Sequence, residues 1–127
     1  MYTDIKEYKD AATKAAIDPN FFPAFPGLPE RYQKAKEAEF KLDIIIEQMN
    51  NDPTFPNWKD PSLKKYELWL WVIDDEESLS GSGLSLLAVV YGDADSSAGS
   101  RRLFKDPKAA RYCFETFKEL FILSYLK

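Results

Sequence analysis

The sequence contains no histidine and only one cysteine, Cys113. Histidine is the commonest general base in enzymes and a frequent zinc ligand, so its absence excludes the usual catalytic triads and most zinc sites. A single cysteine cannot form a disulfide within the chain, which fits a reducing compartment. Cys113 lies on the apolar face of a predicted helix, where desolvation disfavours the thiolate, so we expect a core residue. We therefore predict no catalytic residues, no metal site and no cofactor.

The sequence also has fewer basic residues than acidic ones. Aspartate and glutamate outnumber lysine and arginine by 21 to 17, and the net charge is −4. This balance gives no overall attraction to nucleic acid or to an anionic membrane. No apolar run approaches the ~20 residues that a membrane-spanning helix needs, and the first residues lack the pattern of a signal peptide. We expect a cytoplasmic protein without membrane contact.

The composition is that of a folded protein rather than a disordered one. The chain has 127 residues, of which 45% are hydrophobic and 30% charged. This length fits one domain, 1–127, with a core large enough to need no disulfide or metal. Aromatic residues reach 15%, and aromatic side chains dominate both cores and protein interfaces. Their number favours a surface for a partner.

Three helices are predicted from capping residues and apolar spacing. Residues 3–17 suit a short amphipathic helix with Thr3 as its cap. Residues 18–29 form an arm rich in proline and phenylalanine, either packed on the body or docking a partner. Pro29 then suits the first position of a helix that runs to about residue 51. Spacings of three and four place its apolar residues on one stripe, and two extra isoleucines predict deeper burial of its C-terminal half: Tyr32, Ala35, Ala38, Leu42, Ile45 and Met49, with Ile44 and Ile46.

The second half of the sequence predicts strands followed by a helix. Residues 52–65 form a polar loop, and strands are expected at 66–73, 84–91 and 100–105. A capping aspartate and a proline then open a last helix from 106 to about 126. Because loops of about ten residues are too short for parallel crossovers, the strands should pair antiparallel. The predicted fold is α+β: a three-stranded antiparallel meander packed with two N-terminal helices and one C-terminal helix.

Charge is unevenly distributed along this second half. Between Gly99 and Lys118 there are six basic and two acidic residues. Arg101 and Arg102 stand beside glycine and serine, and such arginine pairs can grip phosphate or carboxylate through their fork geometry. The same two arginines could instead pair internally with the acidic run at 74–77. That run has the pattern of a solvated hairpin tip.

Two tryptophans on one strand face suggest a contact surface. Trp69 and Trp71 alternate within a strand that is apolar on both faces, whereas a half-solvated antiparallel sheet should alternate apolar with polar residues. This excess of apolar residues on the strand predicts a homodimer or another protein partner, with both tryptophans at or near the contact. The competing interpretation is that the arm, through Phe21 to Phe25, covers this face within one chain.

Two alternative functions use the same residues. Trp69 and Trp71 could stack the bases of a single-stranded nucleic acid while Arg101 or Arg102 holds phosphates. The arginines and aromatic residues could also line a pocket for a nucleotide or another anion. The acidic composition argues against the nucleic-acid interpretation.

Several short motifs occur together along the chain: Leu28-Pro29-Glu30, Asn57-Trp58, Lys65-Tyr66, Trp69-Leu70-Trp71, Ser80-Gly81-Ser82-Gly83-Leu84-Ser85, Ala98-Gly99-Ser100-Arg101-Arg102-Leu103-Phe104, Ala110-Arg111-Tyr112 and Phe117-Lys118-Glu119-Leu120. Through these motifs about two thirds of the chain resembles a family of small uncharacterised proteins of gut anaerobes and their tailed phages. The family has no assigned activity, and Arg102 stands where its pattern has leucine. The resemblance implies a phage or mobile-element origin, in which case the location is the host cytoplasm. The leading hypothesis is a non-enzymatic accessory protein that binds another protein, with self-association as a homo-oligomer included.

Overall fold

The structure is a computed structural model that describes residues 1–23, 26–52, 55, 64–72, 84–93 and 102–126. After a 3₁₀ turn, these residues form four α-helices and two strands in chain order. The elements are the turn Tyr2–Asp4, α1 (Tyr8–Lys14), α2 (Glu30–Asn50), β1 (Lys64–Val72), β2 (Leu84–Asp93), α3 (Pro107–Thr116) and α4 (Lys118–Leu126). Helical residues outnumber strand residues by more than two to one.

The first helix is shorter than predicted. Residues 2–4 form the separate 3₁₀ turn, so Thr3 is not the cap of a helix running to residue 17. The cap of α1 is Glu7, where the backbone is extended. The carboxylate of Asp10 accepts the backbone N–H groups of Lys6 and Glu7, each at 3.0 Å. These two hydrogen bonds lower the pKa of Asp10 and satisfy donors that a helix start leaves without an internal partner.

The end of α1 is closed by a Schellman motif. The N–H of Ile17 donates to the carbonyl of Ala12 at 2.9 Å, and the N–H of Ala16 donates to the carbonyl of Thr13 at 3.1 Å. The motif places Ala16 in the left-handed region with φ 59°. Glycine is the usual residue at this position, because a Cβ atom is strained there.

Replacing Ala16 with glycine is therefore expected to stabilise the protein. The left-handed conformation costs an L-residue roughly 1–2 kcal/mol, and the greater freedom of glycine in the unfolded chain offsets roughly 0.5–1 kcal/mol of the gain. A net rise of about 0.5–1 kcal/mol in the free energy of unfolding should appear in urea titration. Ala15→Gly is the matched control: Ala15 has φ −84°, so that change should lower stability.

The long helix α2 supplies the centre of the core. Its buried residues are Ala38, Leu42, Ile44, Ile45, Ile46 and Met49, and the deeper burial of its C-terminal half is thereby confirmed. Pro29 is the residue before the helix rather than its first member. The helix ends at Asn51, which adopts φ 48° and donates its N–H to the carbonyl of Glu47. Asparagine tolerates this left-handed geometry better than most residues.

The prediction of an α+β domain with a three-stranded meander is wrong. The described chain is mostly helical, and its strands form one antiparallel ladder in which Tyr66 faces Tyr91 and Leu68 faces Val89. Near the expected third strand, Phe104 makes an isolated bridge to Tyr66 through hydrogen bonds of 2.8 and 2.9 Å. The pairing stops there because Asp106 caps α3, accepting the N–H of Lys108 at 2.9 Å. Within residues 102–126, Phe104 thus makes a single pair with the ladder before α3 begins.

The prediction of one uninterrupted C-terminal helix is also wrong. Phe117 has φ −116° and ψ 32°, and it separates α3 from α4. Its side chain is buried, and the rings of Phe114 and Phe121 on either side of the break lie 5.5 Å apart. The non-helical residue lets both helices direct apolar side chains into the core, where α4 packs against α2 and α3 packs against the ladder.

The arm packs on the helices rather than on the strands in its described part. Phe22 lies 6.0 Å from Tyr8 and 6.3 Å from Phe40, and Phe21 also contacts Phe40 at 6.3 Å between ring centroids. The ammonium of Lys41 lies 4.9 Å from the centroid of Phe22. The described contacts of Phe21 and Phe22 are thus with α1 and α2, while Phe25 lies outside the described residues. Most of the predicted loop 52–65 lies outside them as well.

Candidate functional site

The predicted contact residues fall largely outside what the structure describes. For Trp69 and Trp71 the backbone register is known: they pair with Ala88 and Ser85. Their side chains lie outside the described atoms, and so does the whole of Arg101. The acidic run 74–77 is outside as well, so the proposed pairing between it and the arginines has no structural test here.

Arg102 is the one predicted site residue whose side chain is described, and it contacts α4. Its guanidinium donates to the hydroxyl of Ser124 at 2.7 Å, and both residues are half-buried. The bond joins the segment before α3 to the last helix across 22 residues of sequence. Arg102 thus connects the segment before α3 to α4 within the protein. The sequence had not suggested α4 as its partner.

Cys113 lies fully buried in the middle of α3. Burial raises the pKa of its thiol, and the positive charge of Arg102 opposes that rise only in part. A thiolate is the reactive form of cysteine, so this side chain is chemically quiet at neutral pH. Its surroundings are those of a core residue, not of a nucleophile.

A pocket of about 210 Å³ lies at the C-terminal end of α2. Its wall combines carboxylates and an amide with three apolar side chains: Asp43, Ile46, Glu47, Asn50, Asp52, Phe55 and Leu103. Asn50 orders this wall, because its amide donates to the carbonyl of Leu103 at 2.9 Å and accepts the N–H of Lys105 at 3.0 Å. Lys105 in turn reaches Asp52 at 3.2 Å.

The acidic wall does not form a metal site within the described part of the chain. There, no three aspartate, glutamate, cysteine or histidine side chains stand close enough to hold a metal ion. The polar groups instead tie α2 to the segment before α3. Sequence reasoning missed Asn50, although an asparagine in the last turn of a helix is a common side-chain partner for backbone groups.

An exposed apolar surface lies where the arm meets α2. We call Phe21, Leu28 and Tyr32, with Arg31, the α2-start surface. Phe21 is 55% exposed, Leu28 39% and Tyr32 43%. With Met1 at the terminus, they are the large hydrophobic residues that stand exposed among the described side chains. Tyr32 lies in the first turn of α2, whereas the buried residues of that helix begin at Ala38.

Arg31 and Tyr32 form an ordered pair on this surface. The guanidinium carbon lies 4.6 Å from the ring centroid of Tyr32, and the guanidinium also donates to the tyrosine hydroxyl at 2.7 Å. Gln33 donates to the carbonyl of Leu28 at 2.7 Å and fixes the approach to the helix. Tyrosine and arginine are enriched among the residues that carry binding energy at protein interfaces.

Sequence reasoning had placed Tyr32 on the core stripe of α2. The apolar spacing continues through Tyr32 and Ala35, but the body of the protein ends before them: Tyr32 is exposed and Ala35 is half-buried. Periodicity reports which residues share a helix face and does not report how far the covering elements reach. The apolar stripe that includes Tyr32 was therefore the sequence pattern for this surface, and it was interpreted as part of the core.

Comparison with protein-family models, curated proteins and solved structures finds no match for this chain. In the described residues, no helix is both long enough and apolar enough to span a membrane. The candidate site therefore rests on its own geometry: an apolar and cationic surface at the start of α2.

Proposed function

We propose that this protein acts without catalysis, by binding another protein chain through the α2-start surface. The observation that carries the proposal is the exposure of Leu28 and Tyr32 at the start of α2 and of Phe21 in the arm that precedes it. Exposed apolar groups of this kind mark interaction sites when charged residues surround them. Glu30 and Arg31, both exposed beside Tyr32, supply such charge.

The ordered arginine and tyrosine support binding rather than mere exposure. In the single chain the guanidinium lies 4.6 Å from the ring centroid and donates to the tyrosine hydroxyl at 2.7 Å, so each side chain already has one contact. A preorganised side chain loses less conformational entropy on binding than a free one. The surface therefore resembles the centre of a protein interface in composition.

The proposal includes the cellular setting implied by the sequence. A chain with one buried cysteine suits the reducing cytoplasm, and an accessory role in a phage or mobile element would place it in a host cell. The nucleic-acid alternative gains no support from Arg102, because that side chain donates to Ser124 inside the protein.

The test compares Tyr32→Ser with a matched control, Lys34→Ser, two residues further along the same exposed turn. Tyr32→Ser should abolish specific capture of a partner from host lysate and leave the free energy of unfolding within about 0.5 kcal/mol of the wild type. Lys34→Ser should retain capture. If both variants capture the same proteins as the wild type, the α2-start surface is not the binding site.

A further inference from the structure

The basic residues of α2 differ in how their charge is balanced. Lys34, Lys36 and Lys41 lie 3.4, 3.4 and 3.3 Å from a glutamate carboxylate on the same helix. Arg31 differs from them, because no carboxylate in the described part of the chain forms an ion pair with it. Its hydrogen bond and its ring contact are both with Tyr32. Arg31 is therefore the cation of this helix whose charge is left for a partner to balance.

The guanidinium of Arg31 also keeps most of its hydrogen-bonding capacity. A guanidinium presents five N–H donors in a planar fork, and the bond to the hydroxyl of Tyr32 uses one of them. Two parallel N–H groups of such a fork match the two oxygens of a carboxylate, in a geometry that a lysine ammonium does not offer. Arg31 can therefore accept a carboxylate from a partner and still keep its hydrogen bond to Tyr32.

Apolar surface lies directly beside this cation. Tyr32 is 43% exposed, and Leu28, which lies two residues before the helix, is 39% exposed. The side chain of Gln33 donates to the carbonyl of Leu28 at 2.7 Å, and the N–H of Tyr32 donates to the carbonyl of Pro29 at 3.0 Å. These bonds tie Leu28 to the first turn of α2. A partner that docks here therefore meets a cation and two apolar side chains within a few residues.

We propose that the partner bound by the α2-start surface is an acidic protein segment. An aspartate or glutamate of that segment bonds to Arg31, and a neighbouring apolar side chain packs on Leu28 and Tyr32. The inference rests on the proposed function and specifies the chemistry of its partner. Burying the apolar contact takes the charge pair out of water, and a hydrogen-bonded charge pair inside an interface is costly to break.

The charge of this stretch favours an acidic partner over a basic one. Residues 30–41 carry four basic and three acidic side chains, although the whole chain has a net charge of −4. The stretch is thus a locally positive region on an acidic protein, and complementary charge at an interface suppresses wrong partners.

A phosphate would fit the guanidinium as well, but nucleic acid fits the surroundings poorly. Binding of a polyanion depends on several cations that neutralise successive phosphates, and the lysines of α2 already contact glutamates. A segment with one carboxylate beside an apolar side chain needs a single cation. The exposed Leu28 and Tyr32 offer such a segment burial that a phosphate backbone cannot use.

The test selects binders of the full chain from a library of random short peptides. Peptides that bind the wild type but not Tyr32→Ser should be enriched in aspartate or glutamate beside a large apolar residue. One enriched peptide is then synthesised and titrated against two exposed-site variants. Arg31→Gln should weaken binding on the order of tenfold. Lys34→Gln removes the same charge from a lysine that contacts Glu30, and it should change the dissociation constant by less than about twofold.

A second peptide, with the acidic residue replaced by its amide, locates the partner of Arg31. This peptide should bind the wild type on the order of tenfold more weakly than the acidic one. Against Arg31→Gln the two peptides should bind equally, because the interaction that the acid supplies is already lost. A double-mutant cycle of this form isolates the contact between the two groups.

Several results would overturn an acidic partner. These are a library that yields no peptide dependent on Tyr32, enriched peptides without acidic residues, equal effects of Arg31→Gln and Lys34→Gln, and an acid-to-amide loss that persists in Arg31→Gln. Tighter binding of a single-stranded DNA oligonucleotide than of the acidic peptide would overturn it in favour of nucleic acid. The proposed function fails separately, if neither the library nor host lysate yields a protein or peptide whose binding depends on Tyr32. Peptides that depend on Tyr32 but carry no carboxylate would retain the function and reject the acidic partner.

Discussion

Phe121→Ala is expected to lower the free energy of unfolding by about 3–5 kcal/mol, the range for removing a large aromatic side chain from a core. Phe121 is 1% exposed and packs 5.5 Å from Phe114 across the break between α3 and α4. The surrounding helices are held by several independent contacts, so they cannot collapse fully into the space that is left. The cost therefore combines lost burial with a cavity.

Urea titration followed by circular dichroism measures this loss, and two variants serve as controls. Phe21→Ala removes the same side chain from a position that is 55% exposed, so its effect should be much smaller. Cys113→Ala removes a single sulfur atom from a fully buried site and should fall between them. Equal effects of Phe121→Ala and Phe21→Ala would contradict the assignment of Phe121 to the core.

The sequence predicted best the features that local chemistry controls. The limits of α2 follow from Pro29 at its start and Asn51 at its end. The start of α3 follows from Asp106 and Pro107, with the aspartate accepting the N–H of Lys108 as a cap does. Caps and breakers act within a few residues, so one sequence contains what is needed to find them.

The errors concern features that depend on distant residues. The third strand was expected from residues 100–105, but in the described part, 102–105, Phe104 makes a single bridge before α3 begins at Pro107. The break at Phe117 likewise has neither a proline nor a glycine to signal it. The break allows Phe114 and Phe121 to pack together in one core. That packing depends on contacts with α2, which is distant in the sequence.

The predicted contact at Trp69 and Trp71 stays a prediction, because those side chains lie outside the described atoms. Among the described side chains, Phe21, Leu28 and Tyr32 are exposed, and sequence reasoning did not single them out as one contact surface. Tyr32 could not be distinguished from a core residue by spacing, since its exposure depends on where the other helices end. Arg102 was expected either to pair within the protein or to bind a ligand. Its contact is with Ser124, 22 residues further along the chain, and no local sequence pattern relates residues at that separation.

Asn50→Ala is the second change with a large expected effect, because one side chain satisfies two backbone groups far along the chain. The amide of Asn50 donates to the carbonyl of Leu103 and accepts the N–H of Lys105, so it fixes the segment that precedes α3. Leu103 is 6% exposed, so water can replace the bond to its carbonyl only poorly. Leaving a buried polar group without its partner costs about 1–3 kcal/mol.

The free energy of unfolding of Asn50→Ala should therefore fall by about 1–3 kcal/mol in urea titration, and amide hydrogen exchange should accelerate at Lys105. Gln48→Ala is the control: it removes a half-buried amide from the same helix, two residues away, and should change stability by less than about 0.5 kcal/mol. Asn50→Asp separates the two bonds, because a carboxylate can still accept from Lys105 but cannot donate to Leu103. It should lose most of the stability that alanine loses, since the buried carbonyl of Leu103 is again left without a donor. If Asn50→Asp were as stable as the wild type, the bond to Leu103 would not be the stabilising one.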